Sequence, residues 1–144
     1  MRRSDMKAML IPTGGYPREI EVCGLKGLQE AVGGAIDACG WVFDDAPTLY
    51  VNDEGKLACP PNRAVYATER EAGAISWDGS TVREGDLLDI ICGDFVAVGF
   101  DPEAGEDRDI TEEEAARVAE RFGTPESVMS GLAEALRIRA QAAR

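Results

Sequence analysis

Short apolar stretches separated by turn-forming residues dominate the first two thirds of the chain and predict a sheet of short strands. Residues 6–11 form the first stretch, and the turn-rich segment 12–17 separates it from the alternating segment 19–22. Alternating polar and apolar positions are typical of a strand with one buried face, so we expect these two segments to pair as a hairpin. The segments 41–43 and 48–51 predict two more strands.

Two later segments carry apolar stretches on either side of a turn dipeptide and predict two further hairpins. Asp78-Gly79 lies at the centre of residues 75–82, and Gly93-Asp94 lies within residues 87–98. Asp-Gly is strongly preferred in tight hairpin turns because both residues accept a positive φ. Residues 60–63 contain two prolines, so we expect regular structure to be interrupted there.

A three- and four-residue period of apolar positions predicts a helix over about residues 25–38. Its apolar stripe consists of Leu25, Leu28, Val32 and Ile36. Such a stripe is typical of an amphipathic helix that packs on a core. Gly33-Gly34 lies inside this helix, where glycine costs about 1 kcal/mol relative to alanine. We therefore expect the pair either to allow another backbone to pack closely against the helix, which is the more common case, or to mark a kink.

The last third of the chain predicts two helices. Thr111 and Glu114 have the spacing of a capping box, and Gly123 predicts the end of the first helix. Thr124 and Pro125 then predict the start of a second helix. The predicted fold class is therefore α+β: a mostly antiparallel sheet of short strands with one packed helix and a C-terminal helix pair.

The length of 144 residues fits one domain spanning residues 1–144. Within it we expect an α+β core over about residues 6–105, an acidic linker over residues 101–110 and a C-terminal helical extension over residues 111–144. No apolar stretch reaches the length of a membrane helix or resembles an export signal, which predicts a cytoplasmic protein.

The chain contains no histidine, and this restricts its chemistry. Histidine alone has an unperturbed pKa near neutrality, so its absence excludes Ser-His-Asp and Cys-His catalysis. Cys23, Cys39, Cys59 and Cys92 include no Cys-x-x-Cys pair, so we expect reduced, mostly buried thiols rather than a zinc site. No metal or cofactor is predicted, and catalysis by carboxylates stays the enzymatic alternative.

The formal net charge is −12, and more than half of it lies in residues 101–114. This segment contains Arg108 and eight acids, of which Glu114 belongs to the capping box. The other seven form a candidate acidic patch: Asp101, Glu103, Glu106, Asp107, Asp109, Glu112 and Glu113. So acidic a chain is not expected to bind nucleic-acid phosphates or an anionic membrane directly. The patch instead predicts a partner with a basic surface, unless it is only a solubilising linker.

Four short patterns occur in an order that resembles the DUF3846 family, a domain of unknown function. The patterns are Gly33-Gly34-Ala35-Ile36, Asn52-x-x-Gly55-Lys56-Leu57, Pro61-Asn62-Arg63-Ala64 and Gly93-Asp94-x-Val96-x-Val98-Gly99. The resemblance covers about residues 6–105, and Ala35 stands where the family usually has a bulkier residue. It implies an intracellular protein of a mobile element such as a phage or plasmid. The family has no established catalytic residues, so the resemblance implies none here.

Five side chains are candidates for a binding site. Asn62-Arg63 lies in a rigid proline-rich loop that can direct an arginine fork toward a carboxylate or phosphate, or can simply pair with a neighbouring acid. Asp89 and Asp94 would make a carboxylate pair for acid-base chemistry or for a divalent ion if the chain brings them together, but solvated acids at strand edges explain them well. Trp41 is either an exposed recognition aromatic or a core residue.

Three hypotheses about function follow. The first is a non-catalytic protein of a mobile element whose acidic surface engages a basic groove, for example on a host defence protein or a nucleic-acid-processing protein. The second is a small-ligand binding domain with Asn62, Arg63 and Trp41 lining a pocket. The third is an enzyme that uses Asp89 and Asp94, which requires the two carboxyl groups to meet in a cleft.

Overall fold

The computed structural model describes residues 5–76 and 78–125. Within them lie eight strands: β1 (Asp5–Ile11), β2 (Arg18–Cys23), β3 (Ile36–Cys39), β4 (Thr48–Asn52), β5 (Pro61–Tyr66), β6 (Leu87–Cys92), β7 (Phe95–Asp101) and β8 (Glu106–Arg108). The same residues form the helices α1 (Gly24–Val32), α2 (Gly55–Ala58) and α3 (Glu112–Phe122) and a 3₁₀ helix over Gly40–Val42. The predicted α+β class is confirmed.

Six strands form the main sheet, in which every pair is antiparallel. The order is β2-β1-β7-β4-β3, and β8 also pairs with β7. The predicted first hairpin is confirmed, because Ala8 of β1 lies opposite Ile20 of β2. Strands β5 and β6 form a separate two-stranded sheet.

Both faces of the main sheet are covered, as the central strand β7 illustrates. Val96 and Val98 pack in an apolar cluster with side chains of α1, whereas Phe95 and Ala97 pack in a second cluster with α3. Alternate residues of a strand face opposite sides of its sheet, so a strand buried on both sides reads as a continuous apolar run. The second cluster also includes residues of β5 and β6, so the small sheet lies on the α3 side of the core.

The predicted helix over residues 25–38 is too long. Helix α1 ends at Val32, and Gly33 adopts a left-handed conformation with φ of 81°. The amide groups of Gly33 and Gly34 both donate to the Gln29 carbonyl, at 2.9 and 3.0 Å. The glycine pair is thus a helix C-cap rather than an interior packing site, because glycine accepts positive φ without steric cost.

Two further predictions about single segments are wrong. Residues 41–43 do not form a strand, because the 3₁₀ helix Gly40–Val42 lies there. Pro61 does not interrupt regular structure but begins β5. Strand β5 pairs on one side only, with β6, and a proline at the start of such an edge strand costs no ladder hydrogen bond.

The predicted hairpin over residues 87–98 is also wrong, although both of its strands exist. Strand β6 pairs with β5, whereas β7 pairs with β1 and β4 of the main sheet. Gly93, with φ of 83°, lies where the chain leaves one sheet and enters the other. The structure agrees with the predicted hairpin around Asp78-Gly79, because Ile75 and Thr81 form an antiparallel bridge.

Strand β8 and helix α3 connect residues 106–122 to the main sheet and its core. Within the predicted linker 101–110, β8 pairs with β7, with Arg108 opposite Gly99. Helix α3 begins at the predicted capping box and packs on the main core. The second predicted helix, after Thr124, lies outside the described residues.

Candidate functional site

Asn62 and Arg63 form a buried hydrogen-bonding network instead of facing solvent. The Arg63 side chain is fully buried, and its Nε donates to the Phe122 carbonyl at 3.0 Å. Its Nη2 donates to the Gly15 carbonyl at 2.5 Å, and its Nη1 to the Asn62 Oδ1 at 2.6 Å. The Asn62 amide donates to the carbonyls of Ile11 and Gly93, both at 2.9 Å. These contacts tie the β1–β2 turn, the end of β6 and the end of α3 together.

The predicted pocket of Asn62, Arg63 and Trp41 is not assembled. Trp41 lies instead on a cavity of about 340 Å³ whose lining includes Cys39 and Asp89, and neither Asn62 nor Arg63 contributes to that lining. Burial raises the pKa of the Cys39 thiol to about 11, with Asp89 adding to the effect, so this thiol is protonated at neutral pH. A protonated thiol is a poor nucleophile.

Asp89 and Asp94 serve different parts of the fold. Asp89 accepts from Lys56 Nζ at 2.6 Å and from the Ile90 amide at 2.8 Å. Asp94 accepts from the Thr13 amide at 2.8 Å and thereby holds the β1–β2 turn. Asp89 lines the cavity beside Trp41, whereas Asp94 does not. The predicted carboxylate pair therefore does not share that cleft.

Three members of the acidic patch hold the backbone in place. Asp101 accepts from the Glu103 amide at 3.0 Å, and Asp109 accepts from the Lys7 amide at 2.9 Å. Asp107 accepts from the Tyr50 hydroxyl at 2.6 Å. Burial and this hydrogen bond raise the pKa of Tyr50, which keeps the hydroxyl protonated as the donor. These acids fix the β7–β8 hairpin against β1 and β4.

An ion pair joins this hairpin to α3. Arg108 of β8 donates to both carboxylate oxygens of Glu114, at 2.7 and 3.2 Å, and to the Phe100 carbonyl at 2.9 Å. The Glu114 side chain is only 3% exposed, and it also accepts from the Thr111 amide in the capping box. Burial raises the pKa of Glu114, but the hydrogen bonds from Arg108 and Thr111 outweigh it, so the net shift is downward.

We expect Glu114→Gln to lower the free energy of unfolding at neutral pH by about 2 kcal/mol, since it removes the charge that Arg108 faces while Arg108 itself is partly solvated. A lowered native-state pKa stabilises the fold above the pKa of the unfolded chain, and this contribution disappears as the pH falls through the native pKa. The difference between wild type and Glu114→Gln should therefore shrink below about pH 4.5. Urea denaturation at several pH values measures it.

Glu113→Gln is the matched control, because Glu113 lies in the same helical turn but is exposed. Glu113→Gln should lower the free energy of unfolding by about 0.5 kcal/mol. The native pKa of Glu71 is also lowered, and this contribution is common to all three proteins. A difference between wild type and Glu114→Gln that persists unchanged at low pH would contradict the assignment.

Four other members of the patch are exposed glutamates. Glu103 and Glu106 lie at the β7–β8 turn, and Glu112 and Glu113 lie in the first turn of α3; all four are exposed. The Arg108–Glu114 ion pair connects β8, which begins at Glu106, to α3, which carries Glu112 and Glu113. We call these four residues the exposed acidic patch.

A larger cavity of about 620 Å³, which no sequence pattern predicted, lies between β5 and α3. Arg70, Arg117 and Arg121 contribute to its lining together with Phe43 and Tyr66. Arg117 and Arg121 are four residues apart on α3, a spacing that places them on one helix face. That spacing was the one available signal, because nothing local predicts where Arg70 packs.

Among residues 5–76 and 78–125, no group of three or more Cys, Asp or Glu side chains is arranged to hold a metal ion. No helix in the same ranges combines the length and apolar character needed to cross a bilayer.

Comparison with known proteins places the chain in a family. No curated protein and no solved structure matches it. The family model described as Domain of unknown function (DUF3846) matches residues 6–123. The match extends beyond the predicted limit at residue 105 and includes α3, in keeping with the packing of α3 on the core. The chain therefore belongs to the DUF3846 family.

Proposed function

We propose that this chain is a non-catalytic interaction protein of a mobile genetic element, and that the exposed acidic patch engages a basic groove on a host defence or nucleic-acid-processing protein. The observation that carries the proposal is the rigid presentation of Glu103, Glu106, Glu112 and Glu113. Their backbone is held by the carboxylate hydrogen bonds of Asp101 and Asp109 and by the Arg108–Glu114 ion pair.

Because these charges are held on ordered elements, a role in recognition is favoured over a role in solubility alone. A disordered acidic linker loses conformational entropy when it binds, whereas carboxylates on a paired strand and a capped helix do not. The net charge of −12 adds a long-range attraction that steers a basic partner toward the molecule and is screened by salt. The absence of histidine agrees with a role that requires no proton transfer near neutral pH.

The test uses two variants with the same net charge. In the patch variant, Glu103, Glu106, Glu112 and Glu113 become glutamine. In the control variant, four exposed glutamates elsewhere become glutamine: Glu21, Glu30, Glu69 and Glu84. Wild type and both variants are used to capture proteins from the native host at low and high ionic strength, and the affinity of the captured basic protein is then measured directly.

We expect wild type and the control variant to bind this protein alike, and the patch variant to bind it about 30-fold more weakly, since four exposed ion pairs contribute about 2 kcal/mol together. High ionic strength should weaken wild-type binding as well. Equal affinity of the two variants would mean that overall charge, rather than this patch, drives association. Binding that is insensitive to salt would exclude the acidic surface altogether.

A further inference from the structure

We propose that the cavity between β5 and α3 binds a small organic anion that carries a planar apolar ring. The cavity volume of about 620 Å³ lies within the range of about 300–1,000 Å³ that is usual for small-molecule sites. Its walls come from the segment after the 3₁₀ helix, from β5 with the loop that follows it, and from α3. This site is separate from the exposed acidic patch, and the proposal does not depend on the function proposed above.

Hydrogen bonds from two arginine side chains fix the positions of the cavity walls relative to one another. Arg121 of α3 donates to the carbonyls of Val42 and Tyr66, at 2.6 and 2.7 Å, and to Glu71 at 3.1 Å. Arg70 donates to the carbonyls of Trp41 and Val42, at 2.6 and 2.9 Å. The two guanidinium groups thus bridge the three walls. A site held open in this way does not have to be built when the ligand arrives.

Glu71 is the anionic member of this bridge. Burial raises its pKa, but hydrogen bonds from Thr68 and Arg121 outweigh that effect, so the net shift is downward and the carboxylate is ionised at neutral pH. It offsets part of the charge of Arg70 and Arg121, which are both within 3.1 Å of it. These two arginines therefore shape the cavity more than they charge it.

Arg117 provides the cation for a ligand. It lines the cavity and is exposed, and within residues 5–76 and 78–125 its side chain makes no hydrogen bond or ion pair. Two acids, Asp44 and Glu120, line the cavity as well. Asp44 pairs with Arg70 at 3.2 Å and Glu71 pairs with both Arg70 and Arg121, so Arg117 is the lining guanidinium that no ion pair within the described residues offsets. A guanidinium group presents paired donors that fit a phosphate or carboxylate.

Two aromatic rings of the cavity, Phe43 and Tyr66, indicate the chemistry of the rest of the ligand. The Phe43 ring packs edge-on against Phe122, with 5.9 Å between ring centroids, and the Arg121 guanidinium lies 5.7 Å from its centre. Tyr66 lines the same cavity and is 42% exposed. A planar ring that stacks on Tyr66 would cover this apolar surface. A ring bearing a phosphate or a carboxylate satisfies both features.

The test measures ligand binding to the full-length protein by isothermal titration calorimetry. Phenyl phosphate, benzoate and adenosine monophosphate represent ring-bearing anions, and inorganic phosphate and adenosine represent the two parts of such a ligand alone. We expect at least one ring-bearing anion to bind, with an affinity about tenfold or more above that of either part. The tightest binder identifies the source, a nucleotide or a simple aromatic acid.

Arg117→Gln should weaken binding of that anion about tenfold, because it removes the cation without touching the Arg70–Glu71–Arg121 bridge. Tyr66→Ala should weaken it by a similar factor, since the Tyr66 carbonyl that accepts from Arg121 is retained. Arg18→Gln is the control: Arg18 is exposed on β2 and does not line the cavity. The proposal is overturned if none of the three anions binds, or if Arg117→Gln and Arg18→Gln bind equally well.

Discussion

Replacing Arg63 with methionine is expected to lower the free energy of unfolding by about 3 kcal/mol. This is a large part of the total free energy of unfolding of a typical domain, which is about 5–15 kcal/mol. Methionine has a similar length and keeps the apolar contacts, so the loss isolates the hydrogen bonds. Without the guanidinium group, the buried carbonyl of Phe122 and the partly buried carbonyl of Gly15 lose a donor, and the loss at a buried acceptor costs about 1–3 kcal/mol. Desolvation of the cation in the wild type offsets part of this difference. Urea denaturation measures it.

Arg83→Met provides the control, because Arg83 is exposed and its replacement should change stability by less than about 0.5 kcal/mol. The comparison decides between two roles for Arg63. An arginine that waits for a ligand is removed at little cost to the fold, whereas an arginine that joins chain segments is not. Equal stabilities of Arg63→Met and Arg83→Met would show that the buried network contributes nothing net.

The local pattern of the sequence predicted most elements but not all of their partners. Alternation at residues 19–22 and the apolar run at 95–98 identify strands because burial of one or both sheet faces leaves that imprint. The same imprint does not say which strand lies beside which, and the short link at Gly93-Asp94 was misinterpreted as a hairpin turn. The helix end at Gly33-Gly34 was missed because the apolar period continues to Ile36, which belongs to β3.

The candidate sites were predictable to a smaller extent. The excess of acids in residues 101–114 was evident from composition, but the separation into structural carboxylates such as Asp107 and exposed ones such as Glu106 depends on tertiary contacts. Arg63 was correctly singled out as unusual, yet its partners turned out to be carbonyl groups far away in sequence. The arginine-lined cavity depends on contacts between Arg70 and the 3₁₀ helix, which no local pattern encodes.

Phe122→Ala is expected to lower the free energy of unfolding by about 4 kcal/mol, the usual cost of removing a buried phenylalanine ring. The ring is 2% exposed and packs edge-on against Phe43 and Phe95, with centroid distances of 5.9 and 5.4 Å. Phe100→Ala is the matched control, because Phe100 is only half-buried on β7, and should cost about half as much. Thermal and urea denaturation measure both variants. A loss no greater than that of Phe100→Ala would mean that α3 is not anchored by this ring.

The ring and the backbone of Phe122 should act together, because the carbonyl of this residue accepts from Arg63 while its ring fills the core. We therefore expect the destabilisation by Phe122→Leu and by Arg63→Met to be non-additive. Leucine loosens the end of α3 and so weakens the Arg63 hydrogen bond before Arg63 is removed. The double variant should then lose about 1 kcal/mol less than the sum of the single losses. Strict additivity in a double-mutant cycle would show that the ring does not set the position of the carbonyl, and that the core and the arginine network hold α3 independently.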